Sequence, residues 1–252
     1  MRKLFVIGIG AGNPDYLTIQ AINALKDLDV VFLIDKGSEK AALVALRTGI
    51  CERYIKRPYR IVSAEDPERD RTPACYEAEV ASWHTKRATV YERMIREELD
   101  DGQRGAFLVW GDPCLYDSTF RVIEQVAAMK TVSFDVEVIP GITSIQALAA
   151  RHRIPLNRIG EPVLVTTGRR LTEAPAGTDA IVMLDGQCAF NGVSDDVDIF
   201  WGAYVGMPEE ILVSGTLATC AAEIAAIRTD ARQRHGWIMD TYLLRHREKV
   251  QR

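Results

Sequence analysis

The sequence predicts an α/β fold in two domains, with a doubly wound parallel sheet in the N-terminal domain and a mixed sheet in the C-terminal one. Three observations carry this reading. Up to residue 152, short apolar runs with a β-branched bias alternate with longer amphipathic stretches, the pattern of repeated strand–helix units. Glycine- and proline-bearing turns follow three of those runs, at Gly8–Gly12, Gly111–Pro113 and Pro140–Gly141. After Ile154-Pro155 the strand-like runs come closer together, with fewer helices between them. The expected domains are therefore 1–152 and 153–252.

Each element has a local reason. Residues 3–9 form a continuous apolar run, as a central parallel strand requires. Pro14 opens a helix in which Leu17, Ala21, Ala24, Leu25 and Leu28 share a face. A strand at 30–34, a helix at 39–52 and a weak strand at 60–63 follow. The polar, proline-punctuated stretch 64–73 reads as a loop. A long helix over 74–99 buries Val80, Trp83, Val90, Met94 and Ile95. Next come a strand at 106–110, a helix at 119–129, a strand at 134–139 and a helix from Pro140-Gly141 to His152. The second domain reads as strands at 163–167, 180–184, 199–205, 211–214 and 237–244, with its clearest helix at 218–227.

Composition narrows the function classes. The chain has 252 residues, 47% of them hydrophobic and 26% charged, which suits a globular protein with a sizeable core. Its formal net charge of −4 argues against a protein built mainly to wrap nucleic acid. The five cysteines, at 51, 75, 114, 188 and 220, form no CxxC pair. The four histidines, at 84, 152, 235 and 246, form no HExxH. No metal site is expected, and an odd cysteine count fits a reducing cytoplasm. Met1-Arg2-Lys3 and the apolar run after it imitate a signal peptide. The run leads into Gly12-Asn13-Pro14-Asp15 rather than a cleavage site, so a buried strand and its turn are expected there.

Three turns are candidates for chemistry. Gly8-x-Gly10-x-Gly12 resembles a dinucleotide fingerprint but fails its spacing, because Asn13 stands at the third position. The alternative is a tight turn that needs glycine's backbone freedom. Gly111-Asp112-Pro113-x-x-Tyr116 and Pro140-Gly141-Ile142-Thr143-Ser144 both follow strands, where parallel sheets bind ligands. Their plain alternatives are a β-turn and a capped helix start. Basic clusters at Arg53, Lys56, Arg57 and Arg60, at Arg151, Arg153 and Arg158, and at Arg169 and Arg170 suit carboxylate or phosphate contacts. Solvated surface charge is the alternative for most of them.

Together these residues resemble the tetrapyrrole methylase family, the S-adenosylmethionine-dependent enzymes of sirohaem and cobalamin synthesis. The matching motifs are Gly8-Ile9-Gly10-Ala11-Gly12, Gly111-Asp112-Pro113, Pro140-Gly141-Ile142-Thr143, the strand near Val182-Met183-Leu184, and Gly215-Thr216-Leu217. They stand in family order over nearly the whole chain. The family form carries Pro where Ala11 stands, and shorter relatives lack the insert at 53–83.

The resemblance implies S-adenosylmethionine as cofactor and a polycarboxylate tetrapyrrole as substrate, both in a cleft between the two domains, and a homodimer. By position it assigns cofactor contacts to Ala11, Trp110, Gly111, Asp112, Leu115, Thr143, Ser144, Leu184, Asp185, Tyr204 and Gly206. For proton transfer it puts forward Asp112, Tyr116 and Asp117, which lie nearest the cofactor turn. Glu65, Asp66 and His84 of the insert are further candidates, with capping or surface roles as the alternative. The nearest rival is another methylase of the same family acting at a different ring position; the rival classes are an NAD-dependent dehydrogenase, which the glycine spacing disfavours, and a nucleotide-sensing module without turnover.

Overall fold

A computed structural model of the chain describes residues 1–35, 41–70, 75–194 and 196–247. It divides into two compact units, Met1–Ile142 and Thr143–Arg252.

The first unit holds five parallel strands: β1 (Arg2–Gly8), β2 (Val30–Asp35), β3 (Arg60–Glu65), β4 (Arg104–Val109) and β5 (Phe134–Ile139). Their order across the sheet is β3-β2-β4-β1-β5. Alternation along the strands sends side chains to two apolar layers. Leu4, Val6, Phe32 and Phe107 pack against Tyr91, Met94 and Ile95 of α3 (Tyr76–Glu98) and Val122 and Val126 of α4 (Thr119–Met129). On the other face Phe5, Ile7, Val31 and Leu108 meet Ala21 and Leu25 of α1 (Ile19–Lys26) and Ile50 and Cys51 of α2 (Ala41–Tyr54). The sheet is therefore doubly wound.

The second unit opens with α5 (Ser144–His152). It continues with β6 (Val163–Thr167), β7 (Asp179–Met183), β8 (Val197–Ala203), β9 (Ile211–Thr216), α6 (Leu217–His235) and β10 (Asp240–His246). The sheet order is β6-β7-β10-β8-β9; β6 and β7 are parallel, and the other neighbours are antiparallel. Cys220, Ile224 and Ala231 of α6 cover Val182, Trp201 and Tyr242. Leu148 of α5 packs close to Gly202 of β8, so α5 goes with this sheet, one helix before the expected division after 152.

Three differences from the expected elements have physical causes. The chain after Pro14 forms only a 3-10 turn, Pro14–Tyr16, and α1 starts afresh behind Thr18, whose hydroxyl accepts the Ala21 amide. Helix α5 begins at Ser144 rather than at Pro140, because Thr143 and Gln146 close a capping box there. Strand β10 begins at Asp240 because Trp237 is drawn onto Tyr204: the two rings meet edge to face at 5.0 Å, and the Tyr204 hydroxyl donates to the Trp237 carbonyl. The expected start of α2 at 39, the end of the 64–73 loop and the expected start of α3 at 74 lie outside the described residues. Among the described residues no helix is long and apolar enough to cross a membrane.

Candidate active site

The three glycine turns of the first unit meet at the carboxyl ends of β4, β1 and β5, which are neighbours in the sheet. Their backbones pack too closely for side chains. A Cβ on Gly141 would lie 2.0 Å from the Gly111 carbonyl oxygen, and one on Gly8 would lie 2.6 Å from the Gly141 nitrogen. Gly10 and Gly111 exchange backbone hydrogen bonds at 3.3 and 2.8 Å, and both have positive φ. The glycines are thus needed for close approach as well as for turning.

This geometry decides between two ligand classes. A dinucleotide fingerprint offers free backbone amides and a helix N-terminus to a pyrophosphate. Here the Gly10 and Gly111 amides bond each other's carbonyls, and the Gly141 amide donates to Asp112 Oδ2 at 2.9 Å. Helix α1 starts only at Ile19, seven residues beyond Gly12. The turn is not built as a phosphate cradle.

Asp112 holds the constellation together. Its Oδ1 accepts the Cys114 amide at 2.7 Å while Oδ2 accepts that of Gly141. Ala11 is buried between the glycines, and Trp110 and Leu115 are partly exposed beside them. Tyr116 is 46% exposed and sits at φ 51°, a left-handed conformation that costs a bulky residue energy. Asp117 lies two residues before α4, and its Oδ1 accepts the Thr119 amide at 2.6 Å.

The second unit gathers its candidates in the same way. Strands β7 and β8 flank β10 and run parallel to each other, so the turns after Met183 and Ala203 leave the same edge of the sheet. Leu184 and Tyr204 stand at the first position of those turns, both left-handed, at φ 53° and 50°. Leu184 is nevertheless 60% exposed, whereas Tyr204 is buried. The Gly206 amide donates to Glu210 Oε2 at 2.8 Å. Thr143 is buried and Ser144 partly exposed at the start of α5.

Asp185, 5% exposed, organises the Leu184 turn. Its carboxylate accepts the amides of Gln187 and Ala189 and the Tyr242 hydroxyl at 2.7–2.9 Å. The Arg228 guanidinium donates to its carbonyl and pairs with Asp240 at 3.2 Å. Asp240 in turn accepts the Trp201 indole at 2.8 Å. Burial pushes the Asp240 carboxyl upward in pKa, and the charge of Arg228 opposes that shift. Sequence reasoning did not single out Arg228. The available signal was its register: it falls in the apolar phase of α6 with Cys220, Ile224 and Ala231. Arg87 carries the same signal, lying buried between Trp83 and Tyr91 on one stripe of α3.

Most of the basic clusters are committed within the fold. Arg53 pairs with Asp15, Arg57 with Asp29, Arg60 with Glu98, Arg151 with Glu210, and Arg170 with Glu173. Arg158 reaches Asp179 and the His246 carbonyl. Arg57 and Arg60 also stand at the amino ends of β2 and β3. A six-residue strand puts them roughly 17 Å from the carboxyl ends where the glycine turns meet.

Comparisons with known proteins follow the same lines. The family described as Tetrapyrrole (Corrin/Porphyrin) Methylases matches residues 3–221. A curated relative from Sinorhizobium sp, precorrin-6A synthase [deacetylating], is 49% identical over 249 residues, covering 97% of this chain and 95% of its own. Among solved structures, a cobalamin synthesis related protein (CobF) from Corynebacterium diphtheriae superposes with a TM-score of 0.85 at 41% identity, covering 98% of this chain and 100% of its own. The uroporphyrin-III C-methyltransferase of Thermus thermophilus, complexed with S-adenyl homocysteine, shares the fold at a TM-score of 0.58 and 17% identity, covering 96% and 92%.

Proposed function

The chain belongs to the tetrapyrrole (corrin/porphyrin) methylase family, and on that premise we propose that it is a precorrin-6A synthase of the deacetylating type. The reaction would methylate precorrin-5 at ring carbon 1 and release acetate. The observation that carries this reading is the 49% identity to the Sinorhizobium enzyme along 97% of the chain.

The candidate contacts fit S-adenosylmethionine, which supplies a methyl group from a sulfonium cation. Their two charged members, Asp112 and Asp185, are both carboxylates, and no cation stands among them. In this reading Gly111, Leu115, Thr143 and Leu184 touch the cofactor, with Ala11, Trp110, Ser144, Tyr204 and Gly206 around them. Asp112 and Asp185 act mainly by shaping their turns, since their carboxylates are already engaged by the protein.

The attacking ring carbon is already nucleophilic, so the protein's main task is alignment. Loss of acetate needs more. Water adds to the acetyl carbonyl, the bond from that carbon to the macrocycle breaks with its electron pair passing to the macrocycle, where it balances the methyl cation gained from the sulfonium, and the proton lost by the water must be carried away. Tyr116 is the proposed carrier: its side chain is 46% exposed at the end of the Gly111 turn, next to the candidate contact Leu115. The same reading places a homodimer in the cytoplasm.

The test is turnover by purified protein with S-adenosylmethionine and enzymatically generated precorrin-5, followed by mass spectrometry of the macrocycle and assay of acetate. Gain of one methyl with stoichiometric acetate is expected. An unchanged macrocycle with S-adenosylmethionine bound would move the activity to another precorrin.

A further inference from the structure

The segment after β3 is strapped onto the first half of α3. Asp66 Oδ1 lies 2.8 Å from Arg87 Nε. The Trp83 indole donates to the Pro67 carbonyl at 2.9 Å, and the Asp70 amide donates to Glu79 at 3.1 Å. The guanidinium groups of Arg69 and Arg87 lie 5.5 and 4.5 Å from the centre of the Trp83 ring. The strap also reaches the proposed site. Arg87 donates to Ser118 Oγ at 2.9 Å, at the end of the loop that begins with Gly111.

His84 sits in this corner, its ring 5.3 Å from that of Trp83. The charges of three guanidinium groups act on it: Arg87 from its own helix, Arg69 from the strap, and Arg121 from α4, three residues after Ser118 on the helix that packs against α3. Arg87 is neutralised by Asp66. Arg69 and Arg121 form no ion pair among the described residues, unlike most arginines of this chain. Nearby acids are engaged elsewhere, Asp66 by Arg87, Glu79 by the Asp70 amide and Asp117 by the Thr119 amide. Glu68 and Glu124, exposed on the strap and on α4, pair with neither arginine. Burial first, and then the charges of Arg87, Arg121 and Arg69, hold the His84 imidazole below its ordinary pKa. A corner with two unpaired guanidinium groups beside a histidine is short of an anion, and planar guanidinium groups match carboxylates.

We propose that Arg69, His84 and Arg121 form a carboxylate subsite that takes one peripheral acid side chain of the tetrapyrrole substrate. The proposal rests on the function proposed above and adds to it where one of the substrate's carboxylates is held. A carboxylate bound there reverses the repulsion on His84, raises its pKa and draws in a proton.

The test uses the full chain and its R69A, R121A and H84N variants. Uroporphyrin, a stable tetrapyrrole octacarboxylate, is titrated near pH 6.5 in buffers of different ionisation heat, with the His84 ring followed by NMR. S-adenosylhomocysteine is titrated in parallel, and KM and kcat are measured for methyl transfer. Expected are proton uptake on binding, a rise in the His84 pKa, and a substrate KM about tenfold or more higher in R121A with kcat retained. S-adenosylhomocysteine affinity should be unchanged. An unaltered KM in both R69A and R121A overturns the proposal, as does a His84 pKa that uroporphyrin leaves where inorganic phosphate at equal concentration leaves it. Failure of S-adenosylhomocysteine to bind the unmodified protein would instead strike at the methyltransferase reading.

Discussion

The Asp112 carboxylate accepts the Gly141 amide at 2.9 Å, so a side chain from the turn after β4 fixes the turn after β5 across the end of β1. The same carboxylate accepts the Cys114 amide. Charge-assisted bonds of this kind contribute about 1.5–3 kcal/mol. Asp112→Ala is expected to lower stability by about 2 kcal/mol and to weaken S-adenosylhomocysteine, with Asp112→Asn in between. Urea unfolding and ligand titration read the two effects. Full affinity in the alanine variant would show that the tie does not shape the binding turn.

The close packing of Gly8, Gly111 and Gly141 makes a sharp steric prediction. Gly141→Ala adds one methyl that would meet the Gly111 carbonyl oxygen at 2.0 Å. S-adenosylhomocysteine binding should be lost while circular dichroism retains the helix and strand content. Gly49, on α2, has nothing within 4 Å of its missing Cβ. Gly49→Ala should therefore stabilise the protein by about 0.5–1 kcal/mol and leave binding intact. Two alanine variants with similar behaviour would contradict the crowding.

Leu184 combines left-handed backbone with high exposure, two features that disfavour a leucine. Leu184→Gly relieves strain of about 1 kcal/mol, so the melting temperature should hold or rise. S-adenosylhomocysteine affinity should nevertheless fall, because the apolar contact proposed for Leu184 would be lost. A variant that keeps its affinity would remove Leu184 from the cofactor contacts.

His152 donates from Nε2 to the Trp201 carbonyl at 3.0 Å, and burial holds its pKa below the ordinary value despite that bond and the nearby Glu210. The unfolded chain then binds more protons than the folded one between the lowered pKa and the unperturbed value of about 6.5. Stability should rise with pH through that window, and His84 adds to the slope with the same sign. His152→Gln should flatten the rise in urea-unfolding free energies measured from pH 5 to 8. An unchanged slope would assign it to other groups.

Much of this architecture is legible in the sequence because its signals are local. The β5 run and helix α4 fall on the expected residues, since a short strand run and an apolar helical period are each complete within a dozen residues. Boundaries moved where a distant partner intervened. Trp237 left the expected last strand for Tyr204, and Pro140-Gly141 stayed outside α5. The basic clusters read equally well as a substrate pocket or as surface charge. Asp15, Asp29, Glu98, Glu173 and Glu210 decided most of them for the surface.

The sequence by itself determined the fold class, the order of the elements, the positions of the glycine turns and the family. Periodicity, turn chemistry and ordered motifs all act over short spans of chain. Only the tertiary structure decided what those turns do with their polar groups. The Gly10 and Gly111 amides bond each other's carbonyls, Gly141 binds Asp112, and Arg228 holds Asp185 from 43 residues away. Such partners are set by which strands lie side by side, and strand adjacency comes from long-range burial that no local pattern encodes.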